Sequence, residues 1–138
     1  MNLLFPAFII IFFVASCNNH ETKVETIKDN KISLCTDTIN VVKISDTLVI
    51  NESTCRGCAY EQSTHFDISD SMKLIRLQGI VTTDNNSSDM SGGNIRKQLI
   101  LLPVNTGTTT IKLYKFWKQE ETAKDSVNAV SYKIEIRN

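Results

Sequence analysis

Apolar and polar positions alternate with a period of two along most of the chain beyond residue 38. The pattern is clear in TTTIKLYKFW, where Ile111 and Leu113 share one face. The last run, VSYKIEI, places four residues on an inward face: Val130, Tyr132, Ile134 and Ile136. Shorter runs precede them, namely INVVKIS, TLVIN, HFDIS, MKLIRLQGIVT and RKQLILLPV. About seven short strands separated by turn signals predict an all-β, antiparallel sandwich.

The first two runs predict a hairpin, because Ser45-Asp46 between them is a turn signal. In an antiparallel pair centred there, Cys35 lies opposite Cys55 or, a few positions on, Cys58. Both cysteines belong to the segment CRGC. We therefore predict a disulfide from Cys35 to Cys55 or Cys58, with Cys55 preferred.

The first seventeen residues, MNLLFPAFIIIFFVASC, predict export of the chain. The apolar run from Leu3 to Ala15 is shorter than the roughly 20 residues that a transmembrane helix needs. Its end, Val14-Ala15-Ser16-Cys17, resembles the cleavage site of bacterial lipoproteins. Cys17 is therefore predicted to carry lipid; the alternative is an ordinary secretory signal. An exported chain meets an oxidising environment, which favours disulfides.

These features divide the chain into three parts. We predict a signal peptide over 1–16, a flexible lipid-anchored tether over 17–34, and one domain over 35–138. The protein is expected in a bacterial cell envelope, attached to the membrane by lipid. We expect the outer membrane, because no aspartate follows Cys17.

Composition and motif spacing exclude several functions. The 15 basic and 15 acidic residues cancel without a clustered basic face, which argues against nucleic acid as a partner. No second CxxC or paired-histidine spacing accompanies CRGC, so neither a metal nor another cofactor is predicted. A thioredoxin-like redox pair needs a helix that the strand pattern lacks. His65 lies in a strand-like run without an identifiable nucleophile, so the chain is not predicted to be an enzyme.

The segment SGGNIRKQLILLPVNTGTTTIKLYKFWKQE, together with VSYKIEIRN, resembles the C-terminal half of chagasin, the prototype of a family of inhibitors of papain-like cysteine peptidases. Ser91-Gly92-Gly93 matches the glycine-rich middle loop of the family. Thr106-Gly107-Thr108 matches the glycine-containing turn that follows the family's core strand. Lys115-Phe116-Trp117 matches a strand ending in Arg-Pro-Trp, with the proline lost. NESTCRGCAY is similar to the first loop, Asn-Pro-Thr-Thr-Gly-aromatic, without its proline and with Cys55-Arg56 inserted.

The resemblance implies an immunoglobulin-like sandwich that presents three loops at one end. It implies peptidase-binding residues in all three loops: Asn51, Ser53, Thr54 and Gly57; Ser91, Gly92 and Gly93; Lys115, Phe116 and Trp117. The implied function is inhibition of a papain-like cysteine peptidase by a monomer. Trp117 is either an exposed binding anchor or an aromatic residue at the edge of the core.

Two other functions stay open. A non-inhibitory binding or scaffold module of the envelope is favoured by the missing prolines, since proline lowers the entropy lost on binding. A free Cys58 would instead allow thiol exchange in the envelope.

Overall fold

The computed structural model describes residues 30–85, 92–121 and 129–138. Within these ranges the chain consists of strands joined by turns and loops, without a helix. The eight strands are β1 (Lys31–Ser33), β2 (Ile39–Lys43), β3 (Thr47–Cys55), β4 (His65–Asp70), β5 (Ile75–Thr83), β6 (Asn94–Pro103), β7 (Gly107–Phe116) and β8 (Ala129–Arg137). The all-β prediction is therefore confirmed, with one strand more than expected.

The strands form two four-stranded sheets, which we name sheet A (order β1-β3-β6-β5) and sheet B (order β2-β8-β7-β4). The core lies between them, and its most deeply buried side chains are Leu48, Ile50, Leu99, Leu101, Ile111, Leu113 and Ile134. The predicted alternation of β7 and β8 holds, since Tyr132 and Ile136 are buried as well. Val130, at the beginning of β8, is an exception and remains 42% exposed.

Each sheet is mixed rather than purely antiparallel. β1 pairs in parallel with β3, and β2 pairs in parallel with β8. The chain therefore crosses from one sheet to the other between β1 and β2, and Leu34 in this crossing is buried in the core. Residues 31–34, which the sequence assigns to the end of the tether, lie in the sandwich.

The predicted hairpin between β2 and β3 is wrong. A turn does occur at the predicted place, where the Asp46 carboxylate accepts a hydrogen bond from the Lys43 amide at 2.6 Å. The turn joins the two sheets instead of two neighbouring strands, because β2 pairs with β8 and β3 pairs with β6. Val42 and Leu48 thus enter the same core from opposite sheets.

The predicted disulfide of Cys35 is wrong for the same reason. It depended on β2 and β3 lying side by side, which they do not. Cys35 is an exposed free thiol, and its backbone exchanges two hydrogen bonds with the Asn40 side chain, at 2.9 and 2.8 Å. Cys55 is bonded to Cys58, with their Cα atoms 5.9 Å apart.

Asp70 organises the turn from β4 to β5. Its carboxylate accepts hydrogen bonds from the amides of Met72, Leu74 and Ile75, and from the Thr109 hydroxyl at 2.6 Å. Burial alone would raise the pKa of Asp70, but these donors stabilise the charged form and together lower the pKa below its ordinary value.

Candidate interaction surface

Three loop segments meet at one end of the sandwich. We call them the three-loop surface: residues 56–64 after β3, Gly92 and Gly93 before β6, and residues 117–121 after β7. Cys55 at the end of β3 pairs with Asn94 at the start of β6, so the first two segments leave neighbouring strands at the same end of sheet A. His65 and Phe116 are register partners in sheet B, so residues 56–64 also reach the end of β7.

The first loop packs directly on the glycine pair. The Arg56 amide donates to the Gly93 carbonyl at 2.9 Å. Gly57 adopts φ +70°, a left-handed conformation that side chains disfavour, and a Cβ there would lie 3.8 Å from the Gly92 nitrogen. Two glycine-containing segments are therefore in contact, and both expose backbone rather than bulky side chains.

The first loop is closed by the Cys55–Cys58 disulfide and by a carboxylate. The Gly57 amide donates to the Glu61 carboxylate, and the Glu61 amide donates to the Cys58 carbonyl at 3.2 Å. The third segment has the same kind of hydrogen bond, because the Trp117 amide donates to the Glu121 carboxylate at 3.0 Å. In both loops a glutamate four residues on satisfies an amide that would otherwise face water.

An exposed aromatic pair joins the first and third segments. The rings of Tyr60 and Trp117 meet edge to face with centroids 6.2 Å apart, and both residues are nearly half exposed. The Ser63 hydroxyl donates to the Trp117 carbonyl and fixes the two segments to each other. A depression of about 400 Å³ lies against this pair and is also lined by Lys118 and Glu121.

Lys115 makes a cation–π contact with Trp117. Its ammonium lies 5.0 Å from the Trp117 ring centroid, and it donates to the Ser53 carbonyl. It also lies 3.6 Å from the Glu52 carboxylate. Lys115 therefore links β7 of sheet B to β3 of sheet A directly beneath the three-loop surface.

The structure brings together only part of the predicted binding set. Gly57, Gly92, Gly93 and Trp117 lie on the three-loop surface, and Lys115 and Ser53 lie just below it. Ser91 and Cys17 lie outside the described residues. Trp117 is 44% exposed, which favours the anchor interpretation over the core-edge one.

Three predicted binding residues lie elsewhere. Thr54 and Phe116 are buried, at 1% and 3% exposure, because strand alternation turns them inward beside exposed neighbours. Phe116 packs on the ring of His65, with centroids 5.0 Å apart. Asn51 lies inside β3, where its side chain donates to Ser33 and accepts from Gln98. The Thr54 and Phe116 side chains therefore face the core, and Asn51 lies within a strand rather than in a loop.

Glu61 and Glu121, whose carboxylates accept hydrogen bonds from loop amides, are not among the residues predicted from the sequence. The contact of the Tyr60 ring with Trp117 is not predicted either. Glu61 and Glu121 are each spaced four residues after a residue of the predicted site, and that spacing within a turn-rich segment was an available signal. The ion pair between Arg56 and Asp84, at 2.9 Å, joins the inserted residue to the end of β5. No local sequence pattern predicts this pair.

Among the described residues, no group of three His, Cys, Asp or Glu side chains is arranged to hold a metal. The same residues include no helix that is long and apolar enough to cross a membrane.

Comparisons with known proteins establish the fold. No protein-family model matches the chain, and no curated protein matches it significantly by sequence. Among solved structures, the cysteine protease inhibitor EhICP2 from Entamoeba histolytica matches with a TM-score of 0.57 and 20% identity, over 80% of this chain and 98% of its own. Amebosin, solved in solution, matches with a TM-score of 0.55 and 14% identity, over 79% and 98%. The chain therefore has the chagasin-like, immunoglobulin-like fold that the sequence predicts.

Proposed function

We propose that this chain binds papain-like cysteine peptidases and inhibits them with its three-loop surface. The observation that carries the proposal is the packing of the loop that holds Gly57 against Gly92 and Gly93, beside the exposed Tyr60–Trp117 pair. The likeness in fold to EhICP2, a cysteine protease inhibitor, supports the choice of target class.

The geometry suits a wedge that needs no chemistry of its own. Gly57 presents backbone without a side chain, so it can approach a catalytic thiol at the bottom of a narrow cleft. Trp117 and Tyr60 offer rigid apolar area on one side, which is the kind of contact that dominates interfaces. Hydrogen bonds between the loops hold this arrangement before binding, which reduces the entropy lost on association.

Titration of papain with the protein tests the proposal. With dithiothreitol present to keep the papain thiol reduced, we expect reversible inhibition with a dissociation constant below about 1 µM, equivalent to more than about 8 kcal/mol of binding free energy. The control is an inhibitor titration of a serine peptidase, which should be unaffected. Absence of both binding and inhibition with several papain-like peptidases would refute the proposal and favour a non-inhibitory scaffold.

The proposal includes attachment to the bacterial envelope, with a monomeric domain facing its partner on a tether. It is supported by the apolar run and the Cys17 motif of the N-terminal sequence. Mass spectrometry of the membrane fraction should detect a lipidated Cys17 at the mature N-terminus, and Cys17→Ala should leave the precursor uncleaved. A mature chain that begins at another residue would refute the anchoring.

A further inference from the structure

The Cys55–Cys58 disulfide has no role in the wedge mechanism, although it lies inside the first loop. It brackets Gly57, the residue proposed to meet the catalytic thiol. Consecutive Cα atoms are about 3.8 Å apart, so the Cys58 sulfur cannot be more than roughly 7 Å from the Gly57 Cα. Both cysteines are only half buried, so they are not sealed from a partner at this surface.

We propose that this disulfide is an exchange site for the catalytic thiolate of the bound peptidase, which it captures as a mixed disulfide. This inference rests on the proposed function. The nucleophile in papain-like enzymes is a cysteine whose pKa is strongly lowered, so it is a thiolate at neutral pH. Thiolates attack disulfides directly, and binding replaces a bimolecular encounter with one between adjacent groups.

The exchange is balanced without an external oxidant or reductant. The peptidase thiolate attacks the Cys58 sulfur and forms a new sulfur–sulfur bond to it. The Cys55–Cys58 bond breaks, and its electron pair leaves on the Cys55 sulfur, which then takes a proton from solvent. The peptidase cysteine is thereby oxidised to the disulfide level, and Cys55 is reduced to a thiol.

The rest of the structure tolerates the loss of this bond. The disulfide spans only three positions and joins no separate strands. Cys55 is held independently by the pairing of β3 with β6. Hydrogen bonds from Arg56 to Gly93 and from Gly57 to Glu61 hold the loop without the sulfurs. The loop can therefore keep its contacts with a bound partner after exchange.

Attack at Cys58 is favoured over attack at Cys55 by the local structure. Cys55 is the last residue of a paired strand, whereas Cys58 begins the turns that lead to Tyr60. A new bond to Cys58 is accommodated by the loop, but a new bond to Cys55 would have to be accommodated by the end of the sheet.

Intact-mass measurement under non-reducing conditions tests the inference. Papain is activated, freed of reductant and mixed with the Cys35→Ser protein, a background that removes the free thiol at Cys35. We expect an adduct whose mass is the sum of the two proteins, without the loss of two hydrogens that oxidation by air would cause. One titratable papain thiol should be lost per complex, dithiothreitol should restore it, and peptide mapping should place the bond at Cys58.

Two controls separate this inference from the proposed function. Papain alkylated at its catalytic cysteine should bind without forming the adduct. The Cys55→Ser/Cys58→Ser variant, verified as folded by its melting curve, should form no adduct, and any papain that it inhibits should regain activity on dilution. Inhibition by the parent protein without any adduct would overturn the exchange and leave the proposed function intact. Absence of binding would overturn both.

Discussion

Truncation of Trp117 separates binding from folding at a single position. The ring is 44% exposed and makes an edge-to-face contact with Tyr60 and a cation–π contact with Lys115. The first is worth about 0.5–1.5 kcal/mol and the second about 0.5–1 kcal/mol at an exposed site. Trp117→Ala should therefore lower the free energy of unfolding by about 1–2.5 kcal/mol, compared with about 3–5 kcal/mol for a core aromatic.

The effect on binding should be larger than the effect on folding. An exposed tryptophan at the centre of an interface contributes about 2 kcal/mol or more, so the dissociation constant for papain should rise at least about 30-fold. Denaturant unfolding and papain titration are to be measured on the same sample. The titration is run below the melting temperature, so that loss of folded protein cannot account for the result.

Phe116 is the matched control, because it is the preceding residue and points to the opposite side. It is 3% exposed, so Phe116→Ala should cost about 3–5 kcal/mol of stability. Inhibition by the folded fraction of that variant should be less affected than inhibition by Trp117→Ala. If folded Trp117→Ala inhibits normally, the third loop plays no part in binding. If its stability falls as far as that of Phe116→Ala, the tryptophan belongs to the core.

Three further predictions concern single residues. Gly57→Val should weaken papain binding and cost about 1–2 kcal/mol of stability, because valine is strained at φ +70°. The control is Gly79→Val, at a residue without positive φ and with open space around it, which should leave papain binding unchanged. Equal binding of papain by the two variants would contradict the wedge. Asp70→Asn should lower stability at pH 7 by roughly 1–3 kcal/mol. Because the pKa of Asp70 is lowered by folding, its contribution is complete above the unfolded value near 3.9 and is lost as the pH falls through the folded value. Urea unfolding at pH 7 and pH 3 should therefore show a smaller acid-induced loss for Asp70→Asn than for the control Asp67→Asn, and identical losses would refute this role. Cys35→Ser should change stability by less than about 0.5 kcal/mol, whereas a loss of several kcal/mol in a non-reducing melt would point to a disulfide at Cys35.

The sequence predicts individual strands well because burial on one face is a local property. Ile111 and Leu113, or Tyr132 and Ile134, reveal a buried face whatever lies beside the strand. Strand pairing is not local. The Ser45-Asp46 turn looks the same whether it links neighbours in a sheet or two separate sheets, so the hairpin and the Cys35 bridge failed together.

The three-loop surface, too, could be predicted from the sequence only in part. The resemblance to chagasin located Gly57, Gly92 and Trp117, which the structure then places at one end. It also carried over whole motifs, including Thr54 and Phe116, whose direction is decided by strand alternation. The Glu61 and Glu121 contacts depend on turn geometry that propensity alone does not specify.

The parallel pairing of β2 with β8 has a consequence for the order of folding. The Asn40 side chain donates to the Lys133 carbonyl across 93 positions of sequence. β8 lies between β2 and β7, so β2 cannot join the rest of sheet B until β8 has been synthesised. Contacts of such long range slow folding, because the loop must close before any contact is gained. A chain that lacks β8 would thus leave the inner face of sheet A only partly covered, by β4 and β7, and its exposed apolar residues would direct it toward aggregation or proteolysis.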